Sequence, residues 1–132
     1  MDRQIKVFLV EDSPMLRARV IESLAEKCNS RVVGSADTED EAVIGIRDSE
    51  PDAVVLDIQL RTGNGLNVLH RLNRLGLSKR PLVIVLTNYN DREFRRHAIA
   101  AGSDYYFDKG SEFHRVGEVL NNLPDPEPAT RQ

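Results

Sequence analysis

Cysteine is nearly absent from this chain. Cys28 stands alone among 132 residues, which excludes an intramolecular disulfide framework and any cysteine-based zinc site. At helical spacing from Leu24, Cys28 reads as a small buried hydrophobe rather than a reactive thiol. Long apolar runs are missing too. None approaches the roughly 18 residues that a membrane span needs, and the start Met1-Asp2-Arg3-Gln4 runs into a strand pattern with no signal-peptide core. The expectation is a cytoplasmic protein that does not engage a membrane. Surplus basic charge is also lacking. A net charge of −3 argues against a dedicated nucleic-acid binder. No internal repeat occurs, and proline clusters only in the final stretch from Pro124.

What remains is a composition with 40% hydrophobic and 30% charged residues, which fits one globular domain with a full core. The pattern is organised around Ala53-Val54-Val55-Leu56-Asp57, where four apolar residues run straight into a carboxylate. A short continuous apolar run is the mark of a strand buried on both faces of a parallel sheet. A lone ionised carboxylate is too costly to bury inside such a strand, so Asp57 marks its carboxyl end, where open α/β sheets place their ligand crevices.

Ile5–Val10 reads as a first strand ending at Glu11-Asp12, after which Ser13-Pro14 opens a helix with a stripe of Leu16, Val20 and Leu24 broadened by Ile21. A weaker edge strand spans Arg31–Ala36, and Thr38 with Glu41 forms a capping box for a second helix burying Ala42 and Ile46. Gly63-Asn64-Gly65 is turn chemistry, followed by a third helix with Leu66, Leu69 and Leu72 that Gly76 closes. Leu82–Thr87 is the most hydrophobic strand. Asn90, with Glu93, caps a fourth helix stopped by Gly102. Asp104–Phe107 makes a short fifth strand reaching Asp108-Lys109, and Ser111 opens a last helix with Phe113, Val116 and Leu120. Five strands alternating with five helices imply a parallel sheet, doubly wound, with helices on both faces. The domain is expected over residues 1–123, with 124–132 a proline-rich tail or the start of a linker.

Four of these strands end on a polar group: Asp12, Asp57, Thr87 and Lys109. In a parallel sheet those ends share one edge. Glu11, Asp12 and Asp57 placed together would repel one another, and a hard divalent cation such as Mg²⁺ (or Mn²⁺) relieves that repulsion. Lys109 adds a compact positive charge and Thr87 a hydroxyl donor. Such a set can stabilise an incoming phosphoryl group, with Asp57 as nucleophile. Each part alone has a plainer reading, as a helix-start signal or a solvated loop. The functional reading rests on four such groups ending four different strands.

In order and spacing the sequence resembles the receiver domain of bacterial two-component response regulators, from about Ile5 to Leu123. The resemblance is carried by Glu11-Asp12, by Asp57 in Val-Val-Leu-Asp, by Asn64-Gly65, by Thr87 and by Lys109. It implies a flavodoxin-like (CheY-like) sheet of order 2-1-3-4-5. It implies that Asp57 accepts a phosphoryl group from a histidine kinase, a phosphotransfer protein or a small phosphodonor, acting as a signalling switch rather than as an enzyme. It places Mg²⁺ on Asp12, on Asp57, on Glu11 through water and on the main-chain carbonyl of Gln59. Thr87 and Lys109 would contact the phosphoryl oxygens, Thr87 and Tyr106 would form the switch, and Gln59 and Asn88 would tune the phosphoryl lifetime.

The family usually has proline where Arg61 and Gly110 stand. The loop after Asp57 is therefore expected to be looser. The Lys109–Gly110 bond is expected to be trans, since cis at a non-proline costs about 2.5–4 kcal/mol, with some repositioning of Lys109. Asn88 stands where a small residue is common.

In the expected readout, charge on Asp57 draws Thr87 inward and Tyr106 turns from exposed to buried. That alters a surface of the fourth helix, fifth strand and fifth helix displaying Arg92, Arg95, Arg96 and Phe113. A solvated helix face is the plainer reading of Arg95-Arg96-His97, and half-buried strand packing that of Tyr106. The output is a protein partner, a phosphorylation-linked homodimer, or an attached output domain if the chain is the N-terminal receiver of a longer, for example transcriptional, regulator. A receiver-like interaction module without phosphorylation is a further alternative. A haloacid-dehalogenase-type phosphatase needs a second Asp where Gln59 stands, and a flavodoxin-like or P-loop nucleotide binder needs a Gly- or Ser/Thr-rich first loop where Val10–Pro14 presents negative charge.

Overall fold

A computed structural model describes residues 4–27, 29–88 and 91–123. The strands are β1 (Ile5–Val10), β2 (Ser30–Ala36), β3 (Ala53–Leu56), β4 (Leu82–Thr87) and β5 (Tyr105–Asp108). Between and after them run α1 (Pro14–Lys27), α2 (Glu39–Ser49), α3 (Gly65–Leu75), α4 (Arg92–Ala100) and α5 (Arg115–Asn121). All the strands pair in parallel, in the order β2-β1-β3-β4-β5. Both the alternation and the strand order match the sequence expectation.

The central strands are apolar throughout because both of their faces are covered. On one face Val10, Val54, Leu56, Val83 and Val85 pack with α2, α3 and α4 through Ile46, Leu69 and Ala98. On the other, Val7, Leu9, Val55, Ile84 and Leu86 pack with α1 and α5 through Val20, Leu24, Val116 and Leu120. Ile21 does not join that stripe. It lies one step round α1 from Val20 and is 42% exposed. Phe8 occupies space that two glycines leave open, because a Cβ on Gly34 or Gly45 would lie 2.9 or 2.4 Å from its ring. The β1–β2 register shifts between Val7 and Phe8, which sets Gly34 opposite Phe8.

Helix starts follow their local chemistry. The Leu16 amide donates to Ser13 Oγ at 3.3 Å, and the Glu41 amide to Thr38 Oγ1 at 3.3 Å. Asn64 caps α3 by accepting from the Asn67 amide at 2.8 Å, and Gly76 ends it in the left-handed region. Asp91 caps α4 by accepting from the Glu93 amide at 2.7 Å. The readings of Asn90 as that cap, of Cys28 as core and of the tail from Pro124 lie outside the described residues.

The last helix begins later than expected. Ser111 does not open it, because the Asp108 carboxylate takes the Gly110 and Ser111 amides and the Ser111 hydroxyl. Those bonds hold residues 109–114 in turns, and α5 starts at Arg115. Among the described residues, no helix is long and apolar enough to cross a membrane.

Candidate functional site

Parallel register brings the polar strand ends to one edge. Val10 pairs with Leu56, Leu56 with Val85, and Thr87 with Asp108. The residues that follow, Glu11, Asp57 and Lys109, therefore emerge side by side. The Asp57 amide donates to the Val10 carbonyl at 2.9 Å and the Lys109 amide to the Thr87 carbonyl at 2.9 Å, extending the ladder into the site.

One ligand oxygen from each of Glu11, Asp12 and Asp57 lies within 4.8 Å of the others. Glu11 and Asp57 are buried, at 2% and 5% exposure, and Asp12 is half-buried. Lys109 reaches into this cluster. Its Nζ donates to Asp57 Oδ2 at 2.7 Å and lies 3.0 Å from Glu11 Oε1. The other Asp57 oxygen, Oδ1, accepts from the Gln59 amide at 3.2 Å.

Burial pushes the Glu11 carboxyl above its ordinary value. The Ser13 amide and Lys109 pull against that rise, and the Asp57 charge adds to it. Burial alone would lower Lys109, but its hydrogen bonds and charge attraction to Asp57 and Glu11 prevail and hold the ammonium above its ordinary value.

Close packing behind Asp57 depends on Gly65, where a Cβ would sit 2.3 Å from the Asp57 carbonyl oxygen. Turn chemistry in the sequence located this glycine, but nothing in the sequence disclosed that contact. Arg17 was likewise absent from the expected site. Its Nη1 donates to the Glu11 carbonyl at 3.1 Å and steadies the acidic loop from the first turn of α1.

The described residues contain no cis peptide bond, so Lys109–Gly110 is trans, as expected. From this backbone the Lys109 side chain reaches Asp57. The loop after Asp57 makes contacts across the fold. Arg61 Nη2 donates to Asp37 Oδ1 at 3.2 Å, and Thr62 bridges to Thr38.

Thr87 is buried at the end of β4, while Gln59 and Asn88 stand exposed. Tyr106 is 4% exposed, the buried end of the expected swing, with the Arg95 guanidinium 5.6 Å from its ring centroid. Burial raises the Tyr106 phenol above its ordinary value. Phe113 does not share a surface with α4. It packs on the α1–α5 side, with Arg19 stacked 4.5 Å from its ring centroid.

Comparison with known proteins agrees with this fold. The DNA-binding transcriptional activator DevR/DosR of Mycobacterium tuberculosis is 35% identical over 121 residues, covering 90% of this chain and 54% of that protein. A protein-glutamate methylesterase/protein-glutamine glutaminase from Methanospirillum hungatei is 29% identical, covering 90% of this chain and 35% of that protein. The chain thus spans about half the length of the first relative and about a third of the second. The signal receiver domain of a response regulator described as NarL, from Mycobacterium tuberculosis, superposes with a TM-score of 0.80 at 24% identity, covering 89% of this chain and 94% of that one. The family model of the response regulator receiver domain matches residues 7–121, and the chain belongs to that family.

Proposed function

We propose that this receiver domain is a Mg²⁺-dependent phosphoacceptor in which Asp57 carries the phosphoryl group. The observation that supports this most directly is the meeting of Asp57 with Lys109 inside the acidic cluster, at 2.7 Å. The donor set fits the metal. Carboxylate oxygens from Glu11, Asp12 and Asp57, joined by the Gln59 carbonyl, suit a hard cation such as Mg²⁺ or Mn²⁺. When bound, the cation neutralises the carboxylates and the charge on the phosphoryl oxygens.

The chain's own residues do the rest. A carboxylate oxygen of Asp57 attacks phosphorus in line. The oxygen–phosphorus bond forms as the donor's bond breaks, P–N in a phosphohistidine or P–O in an acyl phosphate, and the electron pair leaves with the imidazole or carboxylate. Lys109 shifts from sharing Asp57 and Glu11 to the phosphoryl oxygens, and the Thr87 hydroxyl donates to one of them. Gln59 and Asn88, exposed beside the site, tune the access of water and so the lifetime. No separate substrate is turned over, since the domain assists only its own phosphorylation and hydrolysis.

For readout, an inward Thr87 favours the buried Tyr106 over an exposed one, a shift of population rather than a new fold. The affected surface comprises α4 and β5 with Arg92, Arg95 and Arg96. It serves a partner protein, a homodimer or an attached output domain. A histidine kinase or phosphotransfer protein is the donor.

The test is incubation with acetyl phosphate and Mg²⁺, followed by intact-mass and peptide analysis. Wild type should gain one phosphoryl group at Asp57, and Asp57→Asn none. Lys109→Ala should lose about 100-fold in rate. A wild type left unmodified, and unaltered by beryllofluoride with Mg²⁺, would leave the fold without phosphorylation.

A further inference from the structure

We propose that Glu39 is a positioning residue that holds the loop bearing Gln59 in place; the proposal rests on the phosphoacceptor reading. Glu39 is the first residue of α2, where a carboxylate ordinarily serves the helix dipole from solvent, as its neighbour Asp40 does at 82% side-chain exposure. Glu39 is instead 17% exposed and turned onto the loop after Asp57. Its Oε1 accepts from the Asn64 amide at 3.2 Å and from Asn67 Nδ2 at 3.3 Å, and its Oε2 takes Arg71 Nη1 at 3.1 Å. Its own amide donates to the Thr62 carbonyl at 2.9 Å.

Room for this carboxylate comes from Gly63. That residue has φ +83, and a Cβ there would lie 2.4 Å from both Glu39 Cβ and Oε1. The connection to the chemistry is short. Asn64 forms an antiparallel bridge with Gln59, beside which the Gly65 amide donates to the Ile58 carbonyl at 2.7 Å. The Gln59 amide in turn holds Asp57 Oδ1. A displacement of Asn64 therefore passes to Gln59, whose carbonyl is a metal ligand in the proposed function and whose N–H orients the phosphoacceptor. With arginine rather than proline at position 61, this loop takes its stiffness from across the fold rather than from its own backbone.

Reach and charge can be separated. Glu39→Asp keeps the negative charge at the helix start but is one methylene too short for Asn64. Glu39→Gln loses the charge and turns an amide nitrogen toward Arg71, which keeps Asp40 as its partner, but retains an acceptor oxygen at the same reach for Asn64. Three readouts apply: amide hydrogen exchange at Asn64 in metal-free protein, the Mg²⁺ dissociation constant by calorimetry, and the acetyl-phosphate rate as a function of Mg²⁺. Glu39→Asp should exchange faster at Asn64 and bind Mg²⁺ about tenfold more weakly, the usual scale for losing a group that supports a ligand. Its rate at saturating Mg²⁺ should stay within about twofold of wild type, and Glu39→Gln should resemble wild type throughout.

A purely electrostatic role for Glu39 would reverse the two variants, and a Glu39→Asp protein with unchanged exchange and affinity would overturn the proposal alone. A wild type that neither binds Mg²⁺ nor is phosphorylated would overturn the function and this proposal together.

Discussion

Glu11 is a buried carboxyl crowded by Asp57 in the metal-free site. Its folded-state carboxyl lies above the ordinary 4.5, so the folded chain holds that proton more tightly than the unfolded chain does. The stabilisation from protonated Glu11 is full below 4.5 and is lost as pH rises through the folded value, so the ionised form works against folding. In chelator, Glu11→Gln should therefore melt above wild type at neutral pH, with the gap closing under acid conditions. Thermal melts across pH measure this directly. A variant that melts lower at pH 7 would mean that the Lys109 ion pair at 3.0 Å outweighs burial. The residues of this cluster were readable from sequence because each ends an apolar run, where a charge has no other place to go. Arg17 and Glu39 were not, since they act through long side chains across element boundaries and leave no periodic trace. The contact of Arg61 was hidden for the same reason, since its partner Asp37 lies 24 positions away.

At the level of elements, β1, β2 and α2 fit closely around Phe8. Gly45 lies on α2 where helix propensity alone would favour alanine by about 1 kcal/mol. An alanine methyl would instead lie 2.4 Å from Phe8 Cζ. Overpacking should win, so Gly45→Ala should destabilise by about 1–3 kcal/mol in urea melts. Phe8→Leu opens space beside the helix, and adding it to Gly45→Ala should recover part of the loss. The double-mutant cycle then gives a coupling energy whose sign identifies the clash. Additive effects would show that the ring moves aside freely. The apolar spacing of α2 and its Thr38 cap were plain in the sequence, but the reason for glycine at 45 was not, because it depends on a partner strand's register. The start of α5 was misplaced similarly. Ser111 is a good cap by type, yet Asp108 had already engaged it from the end of β5.

For the molecule as a whole, alternation of strand and helix was enough to give the layers. A right-handed crossover between parallel strands leaves few arrangements, and polar residues at strand ends then fall on a common edge. What alternation does not convey is that this edge gathers the carboxylates of Glu11, Asp12 and Asp57, whose repulsion the proposed cation would relieve. Folding stability should then be linked to Mg²⁺ concentration, because the unfolded chain has no such cluster. At a hundred times the dissociation constant the linkage amounts to about 2.7 kcal/mol, equivalent to a melting temperature roughly 10 °C higher for a domain of this size. Asp12→Ala removes a ligand without touching the Lys109 contact with Asp57, and its melting temperature should stay nearly flat over the same titration. Magnesium chloride and an equal ionic strength of sodium chloride must also differ, since screening alone acts on exposed charges and two of these carboxylates are buried. If wild type and Asp12→Ala rose in parallel, or sodium chloride reproduced the rise, the acidic edge would be a feature of packing and not a cation site.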